Sequence, residues 1–287
     1  MSAEERAIAQ STPGELPLTP GEIHLWLTSY DEIEDPLLHA HYRGLLNAEE
    51  AAQEPRFHFA RDRRRYLVTR ALVRTVLSRY ASIAPADWIF KTNAYGRPEI
   101  ANVAAQRDLL TFNISHTHSL IVLAVTRQRE LGVDVENVEA RNVPMDIADR
   151  YFAPGEVTTL MAAPAHEQQY RFFEYWTFKE AYIKARGMGL SLPLDKFSFQ
   201  YPGARAVEIA IDPELADVPD RWQFWQFRPE ASYLVALCAE RLEGSAPAVV
   251  VRRTVPLMSE QHWAPVFLRT SEQHCERSHH HFDRRVG

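Results

Sequence analysis

Runs of apolar and β-branched residues along this chain predict two groups of strands separated by a helical region. A continuous apolar run of strand length indicates a strand buried on both faces, and alternation with polar residues indicates one buried on a single face. The first group of predicted strands covers residues 24–30, 112–114, 120–125 and 131–138. The second group covers residues 197–201, 207–211, 222–227 and 232–239. Both halves of the chain are therefore expected to contain β-sheet.

Helical periodicity marks the segments between and within these groups. Residues 57–80 place apolar side chains at helical spacing, with arginines distributed around them. A long helix is predicted from about residue 166 to residue 186, because Gly187 is a typical left-handed terminator. Two shorter helices are predicted at residues 145–152 and 155–162, with Pro154 at the first position of the second.

This order of elements predicts an α+β fold with two halves of similar size. The N-terminal half covers residues 21–127 and the C-terminal half residues 128–243. Residues 1–20 contain three prolines and are expected to form a flexible N-terminal segment. Residues 244–287 contain further prolines and a His-rich stretch, which predict an irregular C-terminal extension. A zinc site at Cys275 and residues 279–281 is the less favoured interpretation, since no second ligand cluster accompanies it.

Composition is ordinary for a globular protein, with 46% hydrophobic and 24% charged residues in 287. The apolar runs, such as Leu120–Val125, are far too short to span a bilayer. Residues 1–18 lack the apolar segment of a secretory signal. The two cysteines, Cys238 and Cys275, argue against a disulfide framework and for a reducing compartment. We therefore expect a cytoplasmic protein that does not bind membranes.

Arginine is concentrated in one segment, although the formal net charge is −6. Between residues 56 and 79 the only acid is Asp62, and the arginines are Arg56, Arg61, Arg63, Arg64, Arg65, Arg70, Arg74 and Arg79. One concentrated cationic segment in an acidic protein favours a compact anionic ligand over a nucleic-acid surface. A solvated helix face without a ligand is an equal alternative.

Three carboxylates carry the firmest chemical signal. Asp134 and Glu136 are two residues apart on a predicted strand, so both side chains point to one face. Glu180 lies on the aromatic-rich long helix, where burying a carboxylate is costly without a cationic partner. If the three converge, they form an oxygen-only site suited to Mg²⁺. The alternatives are a solvent-facing strand edge for the first two and a surface ion pair between Glu180 and Lys184, one turn further on.

The segment Asn113-Ile114-Ser115-His116 is a third candidate. Adjacent serine and histidine side chains rarely point at each other, and no G-x-S-x-G elbow surrounds Ser115. A hydrolase triad is therefore disfavoured. Ser115 and His116 at the end of a strand are better suited to donate hydrogen bonds to phosphate oxygens.

In this order, the motifs resemble those of the 4′-phosphopantetheinyl transferases. The similar segments are residues 95–98, 113–116, 132–136, 176–184 and 187–194, within a resemblance that covers about residues 22–240. Together with the chain length, they resemble the surfactin-synthetase-activating (Sfp) type. This resemblance implies two tandem α/β halves related by a pseudo-twofold axis, with the active site at their interface, in a monomer.

The resemblance also implies the reaction and its residues. The 4′-phosphopantetheine arm of coenzyme A would be transferred to a serine hydroxyl of an apo acyl or peptidyl carrier protein, with Mg²⁺ or Mn²⁺ as cofactor and adenosine 3′,5′-bisphosphate as the other product. Asp134, Glu136 and Glu180 match the metal ligands. Glu180 also matches the general base, acting directly or through a metal-bound water, and Lys184 matches the lysine that orients it. Residues matching coenzyme A contacts are Arg65, Gly96, Arg97, Pro98, Ser115, His116 and Lys184.

One segment departs from the family pattern. Residues 49–55 are acidic where Sfp-type members carry basic residues. We therefore expect some contacts to the 3′-phosphate to be lost or replaced by Arg61 or Arg64. The departure also motivates an alternative function, a catalytically impaired module that binds coenzyme A or a carrier protein. A nucleic-acid binder that uses the arginine segment lacks a recognised motif.

Overall fold

The computed structural model describes residues 15–140, 142–243 and 245–271, except for the side chain of Leu190. The α-helices are α1 (Pro36–Gly44), α2 (Ala48–Gln53), α3 (Ala60–Leu77), α4 (Val103–Arg107), α5 (Ala148–Tyr151), α6 (Pro154–Ala162) and α7 (Ala165–Arg186). The strands are β1 (Glu22–Ser29), β2 (Phe90–Thr92), β3 (Pro98–Ile100), β4 (Leu110–His116), β5 (Leu120–Arg127), β6 (Leu131–Asn137), β7 (Phe197–Gln200), β8 (Glu208–Ile211), β9 (Trp222–Phe227), β10 (Tyr233–Glu240), β11 (Ala248–Val255), β12 (Ser259–Trp263) and β13 (Phe267–Thr270).

The strands form two main sheets and two short hairpins. The first sheet has the order β12-β11-β1-β5-β4, and the second has the order β13-β9-β10-β6. Within them β1 and β11 run parallel, and the other neighbours run antiparallel. The strands β2–β3 and β7–β8 form the hairpins. The chain thus combines helices and sheets as expected for the predicted α+β class.

Each main sheet packs a helix on one face and the other sheet on the opposite face. On β5, Ile121 and Leu123 lie in the core with α3, whereas Val122 and Ala124 lie in a cluster shared with β6 and β10. Burial on both faces explains why this strand is a continuous apolar run. On the outer face of the second sheet, α7 forms a separate aromatic-rich core with β9 and β10. The cluster between the sheets therefore joins the two halves.

The two halves repeat one order of elements. The first runs β1, α3, the β2–β3 hairpin and the β4–β5 pair, and the second runs β6, α7, the β7–β8 hairpin and the β9–β10 pair. Residues 128–130 connect β5 to β6, next to the predicted boundary between residues 127 and 128. The pseudo-twofold relation and the exact domain limits remain predictions.

The prediction of an irregular segment after residue 244 is wrong for the part that the structure describes. Residues 248–270 form β11, β12 and β13, of which β11 pairs with β1 and β13 pairs with β9. Of the prolines that indicated irregularity, Pro247 comes directly before β11, and Pro256 and Pro265 lie between the strands. Proline lacks an amide hydrogen and therefore ends a strand without excluding one on either side. The suggested Cys275 zinc site lies outside the described residues.

The described part of the N-terminal segment is packed against the first half. The amide of Leu16 donates a hydrogen bond to the carbonyl of Arg79, and Leu18 is buried in the core with α3. Residues 15–20 are therefore held in place, while residues 1–14 lie outside the described range.

Two glycines determine how α7 sits on the second sheet. A Cβ atom at Gly132 would lie 2.0 Å from the carbonyl oxygen of Ala181 and 2.4 Å from the amide nitrogen of Ala185, so only glycine lets the helix contact β6 this closely. At the other end, Gly187 follows the helix with φ of 64°, the left-handed cap predicted from the sequence. The close approach places the C-terminal half of α7 directly over Asp134 and Glu136.

Candidate active site

Asp134 of β6 and Lys184 of α7 meet beside Ser115 of β4. The Asp134 Oδ1 atom accepts hydrogen bonds from Lys184 Nζ at 2.6 Å and from Ser115 Oγ at 2.9 Å. Lys184 Nζ also donates to Ser115 Oγ at 2.9 Å. The second oxygen, Asp134 Oδ2, is buried and has no hydrogen-bond partner among the described residues. A buried carboxylate oxygen without a donor indicates a ligand that supplies positive charge.

Glu180 lies one turn before Lys184 and is half-buried. Burial and, to a smaller extent, the negative charge of Asp134 raise the pKa of its carboxyl group to about 7, with Lys184 partly offsetting both. Two carboxylates that disfavour each other's ionisation in one site are a feature of cation-binding and proton-transferring groups. The structure thus brings Asp134, Glu180 and Lys184 together, as predicted.

Glu136 has a hydrogen-bond partner on α7. Its Oε1 atom accepts a hydrogen bond from the indole Nε1 of Trp176 at 3.1 Å. Within the described ranges, no three Asp, Glu, His or Cys side chains lie in an arrangement that could hold a metal ion. The assignment of Asp134, Glu136 and Glu180 as metal ligands therefore remains a prediction.

Ser115 has no hydrogen-bonding capacity left for a nucleophile. Its hydroxyl donates to Asp134 Oδ1 and accepts from Lys184 Nζ and from the Val135 amide, at 3.3 Å for the latter. One donor and two acceptor positions are all that a hydroxyl has. No histidine is among these partners, which agrees with the sequence-based rejection of a hydrolase triad.

His116 brings Arg65 to the same region. Partial burial lowers the pKa of His116, and the cations Arg65 and Lys184 contribute to the lowering. The residue is nevertheless exposed to solvent, so water weakens this effect. His116 and Arg65, predicted to contact phosphates, therefore lie close to Lys184.

Gly96, Arg97 and Pro98 line a cleft together with Glu180 and Lys184. This catalytic cleft has a volume of about 270 Å³ and includes Asn113 of β4 on its wall. Gly96 has φ of 84° at the tip of the β2–β3 hairpin, a conformation that favours glycine. The hairpin thereby closes one side of the cleft over the end of α7.

Arg97 anchors this hairpin to both neighbouring elements. Its guanidinium donates to Glu130 Oε2 at 3.1 Å, to the Ala185 carbonyl at 3.2 Å and to the Leu131 carbonyl at 3.2 Å. A larger cavity of about 550 Å³ lies beyond Arg97 and contains none of the predicted metal ligands. The chemistry predicted from the sequence therefore belongs to the smaller cleft.

The acidic segment near residue 50 is paired within the protein. Glu50 accepts hydrogen bonds from Arg70 and from Arg74, the latter fully buried, and Glu54 pairs with Arg43 at 2.8 Å. These carboxylates do not extend toward an approaching anion, so the segment is no reason to expect weak binding of coenzyme A. Conversely, Arg70 and Arg74 pair with Glu50 within the fold. The interpretation of the arginine segment as a site for an anionic ligand therefore does not extend to these two residues.

Sequence reasoning missed the part that Trp176, Asn113 and Thr117 play in the site. Asn113 Oδ1 accepts from the Val133 amide at 2.9 Å, and Thr117 Oγ1 accepts from the Asn137 amide at 3.2 Å. Polar residues at alternate positions 113, 115 and 117 of a largely buried strand were an available signal, because such groups need partners.

Comparison with known proteins bears directly on the class of this chain. A family model described as the 4′-phosphopantetheinyl transferase superfamily matches residues 130–238, and one described as 4′-phosphopantetheinyl transferase, N-terminal, matches residues 36–128. The chain is 35% identical over 229 residues to the 4′-phosphopantetheinyl transferase HetI of Nostoc sp., which covers 78% of this chain and 90% of that protein. It is also 32% identical to the 4′-phosphopantetheinyl transferase Sfp of Bacillus subtilis over 198 residues. That alignment covers 69% of this chain and 84% of the Bacillus protein.

Among solved structures, the crystal structure of Thermotoga maritima holo-[acyl-carrier-protein] synthase overlaps 39% of this chain and 62% of its own, at 19% identity and with a TM-score of 0.32.

No helix within the described ranges is long and apolar enough to cross a membrane.

The matched sequences define an enzyme of the transferase class. The chain belongs to the 4′-phosphopantetheinyl transferases, and its relatives place it with the Sfp type. The family assignment made from the motifs is confirmed, and so is the prediction that the protein is an enzyme.

Proposed function

We propose that this enzyme transfers the 4′-phosphopantetheine arm of coenzyme A to a serine hydroxyl of an apo acyl or peptidyl carrier protein. The serine oxygen forms a bond to the β-phosphorus of the pyrophosphate, and the bond from that phosphorus to the bridging oxygen breaks. The serine proton goes to a base, and adenosine 3′,5′-bisphosphate leaves with the bridging oxygen. Such a transfer needs charge stabilisation and positioning more than covalent help from the protein.

The observation that carries this proposal is the buried Asp134 Oδ2 atom, which has no hydrogen-bond partner among the described residues and belongs to a carboxylate near both Glu180 and Lys184. Carboxylate oxygens are the ligands that Mg²⁺ prefers, so this donor set fits the ion. Asp134 and Glu180, joined by Glu136, are the residues proposed to hold it. When bound, Mg²⁺ would supply positive charge at the pyrophosphate oxygens, and Mn²⁺ is a proposed substitute.

The chain's own residues hold the remaining charge of coenzyme A. Lys184 faces the carboxylates with a side chain that is 26% exposed, so it can reach a phosphate oxygen while it keeps Asp134 in place. Ser115 orients that lysine, and His116 with Arg65 offers donors nearby. Gly96, Arg97 and Pro98 are proposed to contact the adenine side from the hairpin.

Glu180 is the proposed base. Without a bound cation the pKa of this carboxyl group is about 7, and a bound Mg²⁺ would lower it, so that the group is ionised and able to accept a proton near neutral pH. It lines the catalytic cleft, where the serine of a carrier protein would enter. The proton therefore passes from the serine Oγ to the Glu180 carboxylate.

Several finer features belong to the same proposal. The cleft is proposed to lie at the interface of two halves related by a pseudo-twofold axis, in a monomeric cytoplasmic protein. Carrier proteins and coenzyme A are the proposed partners, without nucleic acid or membrane. The alternative function, a catalytically impaired module that binds coenzyme A or a carrier protein, was suggested by the acidic residues near Glu50. Glu50 is paired with Arg70 and Arg74, so this reason for the alternative no longer holds.

The test is incubation of the purified protein with coenzyme A, Mg²⁺ and a panel of apo carrier proteins, followed by intact mass measurement. We expect a mass gain of one phosphopantetheine arm that disappears with a chelator and returns with added Mg²⁺. Carrier proteins with the acceptor serine changed to alanine serve as the matched control. Absence of a gain on every carrier, or a gain that survives removal of divalent ions, would contradict the proposal.

A further inference from the structure

The two main sheets meet edge to edge beside the active site, and there a set of side chains takes the place of backbone pairing. β4 is the last strand of the first sheet and β6 is the last strand of the second. No backbone ladder joins them, so each would present unpaired amide groups to the other. Buried amide groups without partners cost free energy, and this edge therefore needs acceptors from elsewhere.

The acceptors are three side chains on alternate residues, two in β4 and one directly after it. Asn113 Oδ1 accepts from the Val133 amide at 2.9 Å, and Ser115 Oγ accepts from the Val135 amide at 3.3 Å. Thr117 Oγ1, just beyond β4, accepts from the Asn137 amide at 3.2 Å. Every partner lies 20 residues further along the chain. A constant offset means that β6 runs parallel to β4 in a single register.

This side-chain ladder determines where Asp134 lies. Asp134 sits between Val133 and Val135, whose amides are held by the first two rungs. The backbone ladder with β10 fixes which face of β6 carries Asp134, so the side-chain ladder controls how β6 lies along β4: a shift there would move Asp134 away from Ser115. Even a small shift of β6 against β4 would change the distances from Asp134 to Ser115 and Lys184, both of which form hydrogen bonds with it.

We infer that Asn113 and Thr117 are positioning residues for the transfer reaction: they hold β6 in register and thereby hold Asp134 against Ser115 and Lys184. Neither residue has a hydrogen bond to Asp134 itself among the described contacts. The inference rests on the proposed function, since it assigns the effect to turnover. Thr117 is the cleaner probe of the two because Asn113 also lines the cleft.

The experiment compares two variants that differ in one acceptor atom. Thr117→Val keeps the shape of the side chain and removes the oxygen, whereas Thr117→Ser keeps the oxygen. Thr126→Val is the matched control, because Thr126 is fully buried in β5 and donates its hydroxyl proton to the Glu22 carbonyl at 2.9 Å, away from the cleft. Each protein is assayed for kcat and for the KM of coenzyme A, with mass transfer to a carrier protein as the readout.

We expect Thr117→Val to lower kcat on the order of tenfold, since small misplacement of reacting groups costs that much or more. The KM of coenzyme A should stay within about twofold of the unmodified protein, because substrate binding groups are untouched. Thr117→Ser should restore kcat. The control Thr126→Val should lose stability and keep kcat, which separates positioning from a general loss of hydrogen bonding.

A second measurement does not depend on activity. Hydrogen exchange of the peptide that spans residues 132–138 should speed up in Thr117→Val and in Asn113→Leu, and remain unchanged in Thr117→Ser and Thr126→Val. If Thr117→Val does not fold, Asn113→Leu against Asn113→Asp makes the same comparison at the other end of the ladder.

The outcomes separate this inference from the proposed function. No transfer by the unmodified protein overturns the proposed function, and the exchange data still test the ladder. Normal kcat in Thr117→Val, in an otherwise active protein, overturns the positioning role. Equal losses of kcat in Thr117→Val and Thr117→Ser overturn it as well, because the acceptor oxygen would then be irrelevant.

Discussion

At the scale of single residues, the two oxygens of Asp134 are in opposite situations. One accepts two hydrogen bonds and the other is buried with no partner among the described residues. This asymmetry is costly for the fold alone, because a buried carboxylate oxygen without a partner loses its hydration. Its cost is expected to be offset by a function that uses the free oxygen.

Asp134→Asn tests that function at constant shape. We expect turnover to fall on the order of 100-fold, the size of effect seen when one charge-stabilising group is removed from an active site. Added Mg²⁺ should raise the thermal unfolding temperature of the unmodified protein and not that of the variant. Equal Mg²⁺ effects on both proteins would remove Asp134 from the metal site.

His24 provides a residue-scale prediction for pH. It is buried in β1 beside Tyr80, and burial, helped by the charges of Arg252 and His262 and opposed by that of Glu22, lowers the pKa of its ring to about 4. The unfolded chain takes up the proton near pH 6.5, whereas the folded protein does so only near pH 4. Stability is therefore full above pH 6.5 and falls as the pH drops toward 4, by up to about 1.4 kcal/mol per pH unit.

Urea unfolding at pH 7 and pH 5 checks this sign. His24→Gln should lose less free energy of unfolding between these two pH values than the unmodified protein does. Equal losses in both proteins would show that other groups cause the acid sensitivity.

At the scale of elements, the contact between α7 and β6 positions the catalytic groups. The sequence predicts both elements. The structure adds that the backbone of α7 approaches β6 at Gly132. Without that contact, Glu180 and Lys184 would lie too far from Asp134 to share a site.

Gly132→Ala should therefore be severe. The new methyl group would lie 2.0 Å from a backbone oxygen, which forces the helix away and should cost about 3 kcal/mol or more of the free energy of unfolding. Gly155→Ala is the matched control, because a Cβ at that helical position meets nothing within 4 Å and should stabilise by about 0.5 kcal/mol. Chemical denaturation of both variants distinguishes a steric effect from a general intolerance of alanine.

At the scale of the whole molecule, the C-terminal strands attach one segment to both halves. β11 extends the first sheet beside β1, and β13 extends the second sheet beside β9. Arg269 of β13 also donates to Glu174 of α7 at 3.1 Å and stacks on the ring of Tyr201. This segment therefore stabilises the arrangement of the two halves around the cleft.

Arg269→Met tests this attachment. Glu174 is nearly fully buried and would retain only Arg171 as an ionic partner, so we expect a loss of about 3 kcal/mol in the free energy of unfolding. Lys91→Met, which removes an exposed pair with Glu99, should change it by less than about 1 kcal/mol. Similar small changes in both variants, measured by urea denaturation, would show that β13 contributes little.

The sequence by itself determined the long helix with its glycine terminator, most of the strands and the family. Local periodicity and short motifs indicate these features, because helical spacing and strand alternation can be recognised without knowing which distant residues they contact. The sequence also predicted Asp134, Glu136 and Glu180 as the centre of the chemistry, with Lys184 beside them, and the structure places Asp134, Glu180 and Lys184 close to one another. The metal assignment itself awaits its experiment.

Only the tertiary structure decided which polar groups are occupied by the fold. Arg70 and Arg74 both pair with Glu50, which lies 20 and 24 residues before them in the sequence. The three residues meet only through packing. The strands β11 and β13 are defined by pairing with the distant strands β1 and β9, which local signals do not report. The same holds for the ladder from Asn113 to Thr117, because an alternating polar strand acquires its meaning from the edge that it faces.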